Sequence, residues 1–591
     1  MIEIANLHLA PAPKSIERRD GVFSTAGKSF TQLISEDPQS LIAAVEQTGL
    51  DWEITASPKA PKNKVGLVIK LDEDSDILEE GYELAVLPES IEITASDPAG
   101  AFYGACTLAQ IMKQCGEDIP CMSISDSPDF SARGVMLDIS RDKVPTMDTL
   151  YHLVDLLASW KINQLQLYTE HTFAYHAHPK VWEKASPMTG EQILALDAYC
   201  CEKFIDLVPN QNSFGHMERW LKHEEYRPLA ESPDSNQPFS LCPIDEGSTK
   251  FLRGLYEELL PHFSSGLFNV GCDETFDLGH GRSKALCEEQ GTGRVYLDFL
   301  LKIYEAVEEH SRIMMFWGDI IMHHPELIPE LPDDLIALEW GYEFDHPFAE
   351  NGKKFADSGI PFYVCPGTSS WNSLAGRTEN AIGNITNAAE NGLELGAIGL
   401  LNTDWGDCGH WQPLSASYLG YLVGAMASWN SKADVRHGLA EKLSLHAFGD
   451  SSGKTGRAYY DVGDIYRVFK TRVGNSSIPW RMLFRAESEL VEKLEVSEFD
   501  EMESKLDSIS KAVEGGEMTC PDADIVGEEL DHILNVLRFS AEVGKMKTGG
   551  AELKDSKAKI AEIKNNHERV WLMRNRIGGL SDSLAKLRSP Q

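Results

Sequence analysis

The chain has 591 residues, 42% of them hydrophobic and 25% charged, with a formal net charge of −38. That length predicts two to four domains with room for a sizeable core. The acid excess argues against nucleic acid or an anionic membrane as partner, and no apolar run reaches the roughly 18 residues of a membrane helix. The start, MIEIANLHLAPAPKSIERRDG, lacks the basic-then-apolar order of a secretory leader. The 11 cysteines are scattered, and several sit inside apolar segments (Cys106, Cys272, Cys365), the pattern of reduced thiols. A cytoplasmic protein is expected, in which the Asn-x-Ser/Thr triplets at Asn384 and Asn475 carry little weight.

In chain order, VGLVIKLD (Val65 to Asp72) and SIEITASD (Ser90 to Asp97) read as strands. PAGAFYGACTLAQIMKQC (Pro98 to Cys115) reads as a helix opened by proline. Residues 1–127 are therefore expected to form a small α/β domain. From Ala132 the pattern becomes regular. Eight short β-rich runs (ARGVMLDIS, INQLQLYT, FIDLVPNQ, LFNVGCDE, IMMFWGDI, LIALEWGY, PFYVCPGT, GAIGLLNTDWG) alternate with helical stretches such as Met147 to Trp160 and Asn380 to Gly392. Eight strand–helix units predict a (β/α)₈ TIM barrel over residues 128–445. A doubly wound sheet competes, but no Gly-rich fingerprint follows any first strand. After about residue 445 only helical spacing remains, so residues 446–591 are read as a helical domain that packs on the barrel or forms an oligomer contact.

A barrel places function at the C-terminal ends of its strands. Those ends carry Asp138, Glu170, His171, Asn212, Asp273, Glu274, Trp317, Asp319, Trp340, Trp405 and Asp407. Asp273 and Glu274 are adjacent acids, and successive side chains at a strand end point in different directions, so the two can hold different jobs in one pocket. A shielded carboxyl titrates high enough to act as a general acid near neutral pH. Trp317, Trp340, Trp371, Trp405 and Trp411 lie near strand ends, where flat aromatic faces suit the C–H faces of sugar rings. A lone tryptophan is usually core; several at one barrel end are harder to explain that way.

Two other patterns are set aside. FGDSSGKTG (Phe448 to Gly456) imitates a phosphate loop, but its first glycine is one residue short and a helix-like run precedes it, so it reads as a helix end and loop. His171, His176 and His178 sit in one loop without a second cluster at ligand spacing, so no metal is expected, and no cofactor is implied.

These segments resemble the family 20 glycoside hydrolases, the β-N-acetylhexosaminidases. ARGVMLDISR (Ala132 to Arg141) is similar to the family's RGxxLDxSR. VPNQNSFGH (Val208 to His216) stands for IPExDxPGH, NVGCDE (Asn269 to Glu274) for HxGGDE, and WGD (Trp405 to Asp407) for WGE. The order agrees over roughly residues 1–430. The resemblance implies that Glu274 protonates the leaving glycosidic oxygen. It implies also that Asp273 holds the substrate's 2-acetamido group, whose carbonyl oxygen is the nucleophile, an exception to the two-carboxylate scheme. It gives Arg133 to the sugar's 3- and 4-hydroxyls, Trp317, Trp340 and Trp405 to the aromatic walls, Asp407 to the 4- and 6-hydroxyls, and His216 to organising the acid. Departures are Asn269 for the hallmark histidine, Cys272 for its second glycine, Asn210 and Asn212 for acids, and YTEHT for HLxDD, with Glu170 and His171 as stand-ins. The tyrosine expected after the seventh strand is out of register; Thr368, Trp371 and Asn372 are nearby.

The expected partner is a glycan or small molecule with a terminal β-linked N-acetylhexosamine, and the shorter Asp407 leans toward GalNAc over GlcNAc. Two other readings stay open. One is a catalytically silent carbohydrate-binding barrel. The other is a barrel glycosidase with a conventional nucleophile, Glu170 or Asp319.

Overall fold

The computed structural model describes residues 3–56, 62–141, 143–550 and 552–589. The N-terminal part is one sheet of seven strands: β1 (Ser15–Ser24), β2 (Phe30–Ile34), β3 (Glu53–Thr55), β4 (Val65–Leu71), β5 (Tyr82–Val86), β6 (Ile91–Ala95) and β7 (Asp118–Asp126). Their order is β1-β7-β5-β6-β4-β2-β3. The helix Pro98–Cys115 covers the sheet. Asp97 caps it by accepting from Gly100 N–H, and Pro98 occupies a first-turn position that needs no donor.

Eight strands then close a parallel barrel: β8 (Ala132–Asp138), β9 (Gln164–Thr169), β10 (Asp206–Gln211), β11 (Leu267–Asn269), β12 (Ile313–Trp317), β13 (Ile336–Trp340), β14 (Phe362–Cys365) and β15 (Gly399–Asp404). Each of the eight expected runs supplies one strand. Closure is the β15–β8 pairing, from Gly399 opposite Ala132 to Asp404 opposite Leu137. The expected helices appear at Met147–Ser159, capped by Thr146, and at Thr378–Glu394. Alternate strand residues fill the interior, where Met136, Val208, Met315, Leu338 and Leu401 pack below Tyr168, Trp317 and Trp405.

Part of that interior is polar and neutral. Gln166 Oε1 accepts from both Asn210 Nδ2 and Asn269 Nδ2, each at 3.0 Å. An unpaired charge buried here would be costly, whereas neutral amides can bond to one another. This accounts for two of the amides at positions where the resembled motifs carry an acid or a histidine.

The helical C-terminal region packs on the barrel. Arg574 C=O accepts from Thr146 N–H and Thr149 Oγ1, both at 2.8 Å. Trp411 stacks on His567 at 3.9 Å between ring centres. FGDSSGKTG runs from the C-cap of one helix (Leu439–Ala447) through a short loop into the first turn of the next (Lys454–Gly463), with Asp450 accepting from Ser452 and Thr455 N–H. All the cysteines are free. Among the described residues no helix is long and apolar enough to cross a membrane.

Candidate active site

At the end of β11 the backbone turns sharply. Gly271, Cys272 and Glu274 all have positive φ, at 70°, 70° and 50°. Left-handed backbone is costly for non-glycine residues and persists where the surroundings enforce it. Here they do. Cys272 N–H donates to Asn212 Oδ1 at 3.3 Å and Glu274 N–H to Asp319 Oδ2 at 3.1 Å. A Cβ on Gly271 would lie 2.6 Å from Asn212 Oδ1, so only glycine fits. The turn presents Asp273 inward, with Glu274 beside it at the mouth.

Asp273 is 6% exposed. Asn212 Nδ2 donates to its Oδ1 at 3.0 Å, and His216 Nε2 lies 3.4 Å from Oδ2. Burial favours the neutral acid, but the charge and hydrogen bond of His216, then Arg141 and Asn212, outweigh it and hold the carboxyl below its usual range. Burial likewise opposes charge on His216, yet Asp273 and the hydrogen bond to Glu274 carry its pKa up to about 10. Glu274 Oε2 lies 3.3 Å from the same Nε2, and its side chain is 36% exposed. One acid is thus buried and anionic; its neighbour reaches solvent. Asp319 stands behind them, raised to about 7 by burial and then by the nearby charge of Asp273.

The cavity they share, about 80 Å³, is lined by Trp317, Trp340, Tyr342, Trp371 and Trp405, and by Arg141, Asp407 and Asn475. Trp405 Nε1 donates to Tyr342 Oη at 2.7 Å. Trp340 stacks on Tyr342 with ring centres 5.2 Å apart, and Trp371 meets it edge-on at 5.0 Å. The aromatic rings are therefore locked as a wall before any ligand arrives. A larger cavity of about 470 Å³ lies outside this mouth, between Phe344 and residues 466–473, and holds neither candidate catalytic acid.

Several expectations need correction. Arg133 is not in the cleft. It is the second residue of β8, at the opposite end of the barrel, fully buried, with its guanidinium 2.6 Å from Glu80 of the N-terminal sheet. The arginine in the cleft is Arg141, eight positions on. Asp138 Oδ1 accepts from Ser140 and Arg141 N–H and so turns the chain over the mouth. Arg141 then pairs with Asp138 (3.3 Å) and Glu170 (3.4 Å), with the His216 ring 3.4 Å away. Its guanidinium faces the Tyr168 and Trp405 rings at 4.7 and 5.0 Å.

Glu170 does not line the cavity. It is a buried partner of Arg141, raised to about 7 by burial. His171 turns away to a separate pocket with Lys184 and Asp582. Trp411 stacks under the C-terminal helices, away from the cleft. Asn212 acts on Asp273 rather than on the cavity. Tyr342 and Asn475 were missed. An aromatic two residues past Trp340 was a usable signal for Tyr342, which lines the cavity from the sixth strand end, not the seventh where a tyrosine was expected. Nothing in the sequence signalled Asn475, because it arrives from the C-terminal region.

His216, Asp273 and Glu274 offer three ligand atoms within 4.8 Å of one another, the one such group among the described residues. Their mutual hydrogen bonds and charge already account for that closeness.

Comparison with known proteins comes to the same place. The model of "Glycosyl hydrolase family 20, domain 2" matches residues 6–127, and that of "Glycosyl hydrolase family 20, catalytic domain" matches residues 130–381. A beta-hexosaminidase of Akkermansia muciniphila is 27% identical over 294 residues, 43% of this chain and 59% of that protein. One of Vibrio furnissii is 27% identical over 327 residues, 49% and 52%. The matched stretch is thus between half and three fifths of those relatives' length. Among solved structures, the Flavobacterium johnsoniae chitobiase shares the fold with a TM-score of 0.64 at 17% identity, over 97% of this chain and 100% of that one. The Vibrio harveyi GH20 exo β-N-acetylglucosaminidase gives 0.62 at 18%, over 77% and 78%. With both family models in register on the N-terminal sheet and the barrel, the chain belongs to glycosyl hydrolase family 20.

Proposed function

We propose that the protein is an exo-acting, retaining β-N-acetylhexosaminidase that uses its substrate's own acetamide as nucleophile. One observation carries this reading: a buried, charge-stabilised Asp273 and a solvent-reaching Glu274 share one aromatic-walled cavity. Asp273 is built to stay anionic, so it accepts from an acetamide N–H and polarises that group. The amide oxygen then attacks the anomeric carbon while Glu274 gives its proton to the departing glycosidic oxygen. The oxazolinium so formed is opened by water, whose proton returns to Glu274. Two inversions at one carbon give retention.

The conventional-nucleophile reading is weaker. Glu170 and Asp319 both lie outside the lining of the cavity, each committed to a neighbour, Arg141 and Glu274 N–H respectively. The silent-binder reading is also weaker, since the catalytic pair is intact and preorganised. Relatives in this family carry the name beta-hexosaminidase, which supports the substrate class. A lean toward GalNAc rests on Asp407, whose shorter side chain leaves room at the 4-hydroxyl corner.

The test is turnover of nitrophenyl β-glycosides with and without the 2-acetamido group. Only the acetamido sugars should react, and GalNAc should lead. Equal rates on the 2-hydroxy sugars would end the substrate-assisted reading. Glu274→Gln should lower kcat at least about 10³-fold while sugar binding persists.

A further inference from the structure

The C-terminal region does more than pack on the barrel: it supplies one side chain to the cleft. Asn475 lines the cavity of Asp273 and Glu274, although it lies outside the residues that the two family models match. The strap that carries it is stitched to the barrel on both sides. Asn475 N–H donates to Glu343 Oε1 at 2.6 Å, and Glu343 is gripped by Arg377 Nη1 at 3.0 Å to each oxygen. Ser476 Oγ and Ser477 N–H both donate to Asn372 C=O, at 3.1 and 3.0 Å. Asn372 Nδ2 bridges Asp407 Oδ2 (3.4 Å) and Asn475 C=O (3.5 Å). Asn475 and Asp407 therefore stand on one hydrogen-bonded corner of the cavity.

The backbone of Asn475 is thus fully employed, while its side chain is not. Its Oδ1 is buried with no hydrogen-bond partner among the described residues. An amide oxygen in that condition calls for an O–H or N–H donor. Its φ of +47° is left-handed, a conformation that asparagine tolerates better than most residues. The same triplet makes an Asn-x-Ser/Thr site, but Asn475 lines the cleft. Asn384, in the other triplet, is fully buried and fully bonded.

We propose that Asn475 is a specificity-determining contact: its Oδ1 accepts a hydrogen bond from a hydroxyl on the edge of the terminal sugar served by Asp407, so that the helical C-terminal region completes the sugar pocket. This rests on the hexosaminidase reading above and extends it. Where Asp407 is one methylene short, Asn475 brings an acceptor from a different part of the chain.

The experiment compares parent, Asn475→Gly and Asn475→Asp on the nitrophenyl β-glycosides of GalNAc and GlcNAc, with thermal melting as a fold control. Glycine keeps the left-handed backbone and removes only the amide. Asn475→Gly should lower kcat/KM about tenfold or more, mainly through KM, and shift the GalNAc to GlcNAc ratio by about fivefold or more at an unchanged melting temperature. Asn475→Asp keeps an oxygen acceptor and should hold the ratio within about twofold of the parent. A glycine variant that matches an active parent in both kcat/KM and ratio overturns the inference alone. So does an aspartate variant that shifts the ratio as far as glycine does. A parent that hydrolyses neither glycoside overturns the hexosaminidase reading and this inference with it.

Discussion

His216 lies within 3.4 Å of Asp273 and 3.3 Å of Glu274, so its charge is tied to both. Asp273 is the largest contribution holding that histidine protonated against burial. Asp273→Asn should therefore do two things. It should bring the His216 pKa down from about 10, visible as a titration by nitrogen NMR that moves toward the ordinary histidine range. It should also cost about 10²–10³ in kcat, because the acetamide loses the anion that steadies its developing charge. A His216 titration that does not move in the variant would contradict the assigned pairing. The stability sign follows from the same shift. A histidine raised in the folded state contributes fully below its unfolded pKa, and that contribution is lost as pH rises toward 10.

On the scale of elements, β8 carries two arginines with opposite duties. Arg133, at its start, is fully buried and paired with Glu80 across the interface to the N-terminal sheet. Arg141, just past its end, is held by Asp138 and Glu170 over the mouth. Arg133→Ala should destabilise the fold by about 3–5 kcal/mol, since it strands a partner and empties a buried site. KM of the folded fraction should stay put. Arg141→Lys should leave the melting temperature nearly unchanged and lower kcat/KM about 10–100-fold, because an ammonium cannot fork between the two carboxylates of Asp138 and Glu170. Urea unfolding and steady-state kinetics on the two variants separate the roles. Assigning Arg133 to the substrate was an error of direction along one strand. The motif contains both arginines, and only the rule that chemistry sits at the carboxyl ends distinguishes them.

For the whole molecule, acid is the main liability. His446 and His532 are pushed down to about 4 by burial, and burial also holds His171, His410 and His567 well below the usual histidine range. His410, His532 and His567 lie near Lys143, itself lowered to about 7 by burial, where the barrel meets the C-terminal helices. The unfolded chain binds these protons near pH 6.5 and the folded chain does not, so stability falls as pH drops below that point. For His446 and His532 the loss should be about 2 kcal/mol each by roughly pH 5. Urea midpoints at about pH 7.5 and pH 5 would register it. A flat profile would mean that these histidines charge in place.

The sequence by itself determined the barrel. Eight short apolar runs at regular spacing can bury both faces only as parallel strands under helices, and each run became a strand. It also pointed to the acid pair and the tryptophans, because each lies at or shortly after the end of an expected strand, and those ends share one known face of the fold. Only the tertiary structure decided which arginine lines the cavity, that Tyr342 fills the aromatic wall, that Glu170 and His171 stand back, and that Asn475 enters from beyond the barrel. Those are matters of direction and of distance across the chain. A side chain's face depends on where its strand begins and ends, and Asn475 joins Asp407, through Asn372, only after some seventy intervening residues have folded back over the mouth.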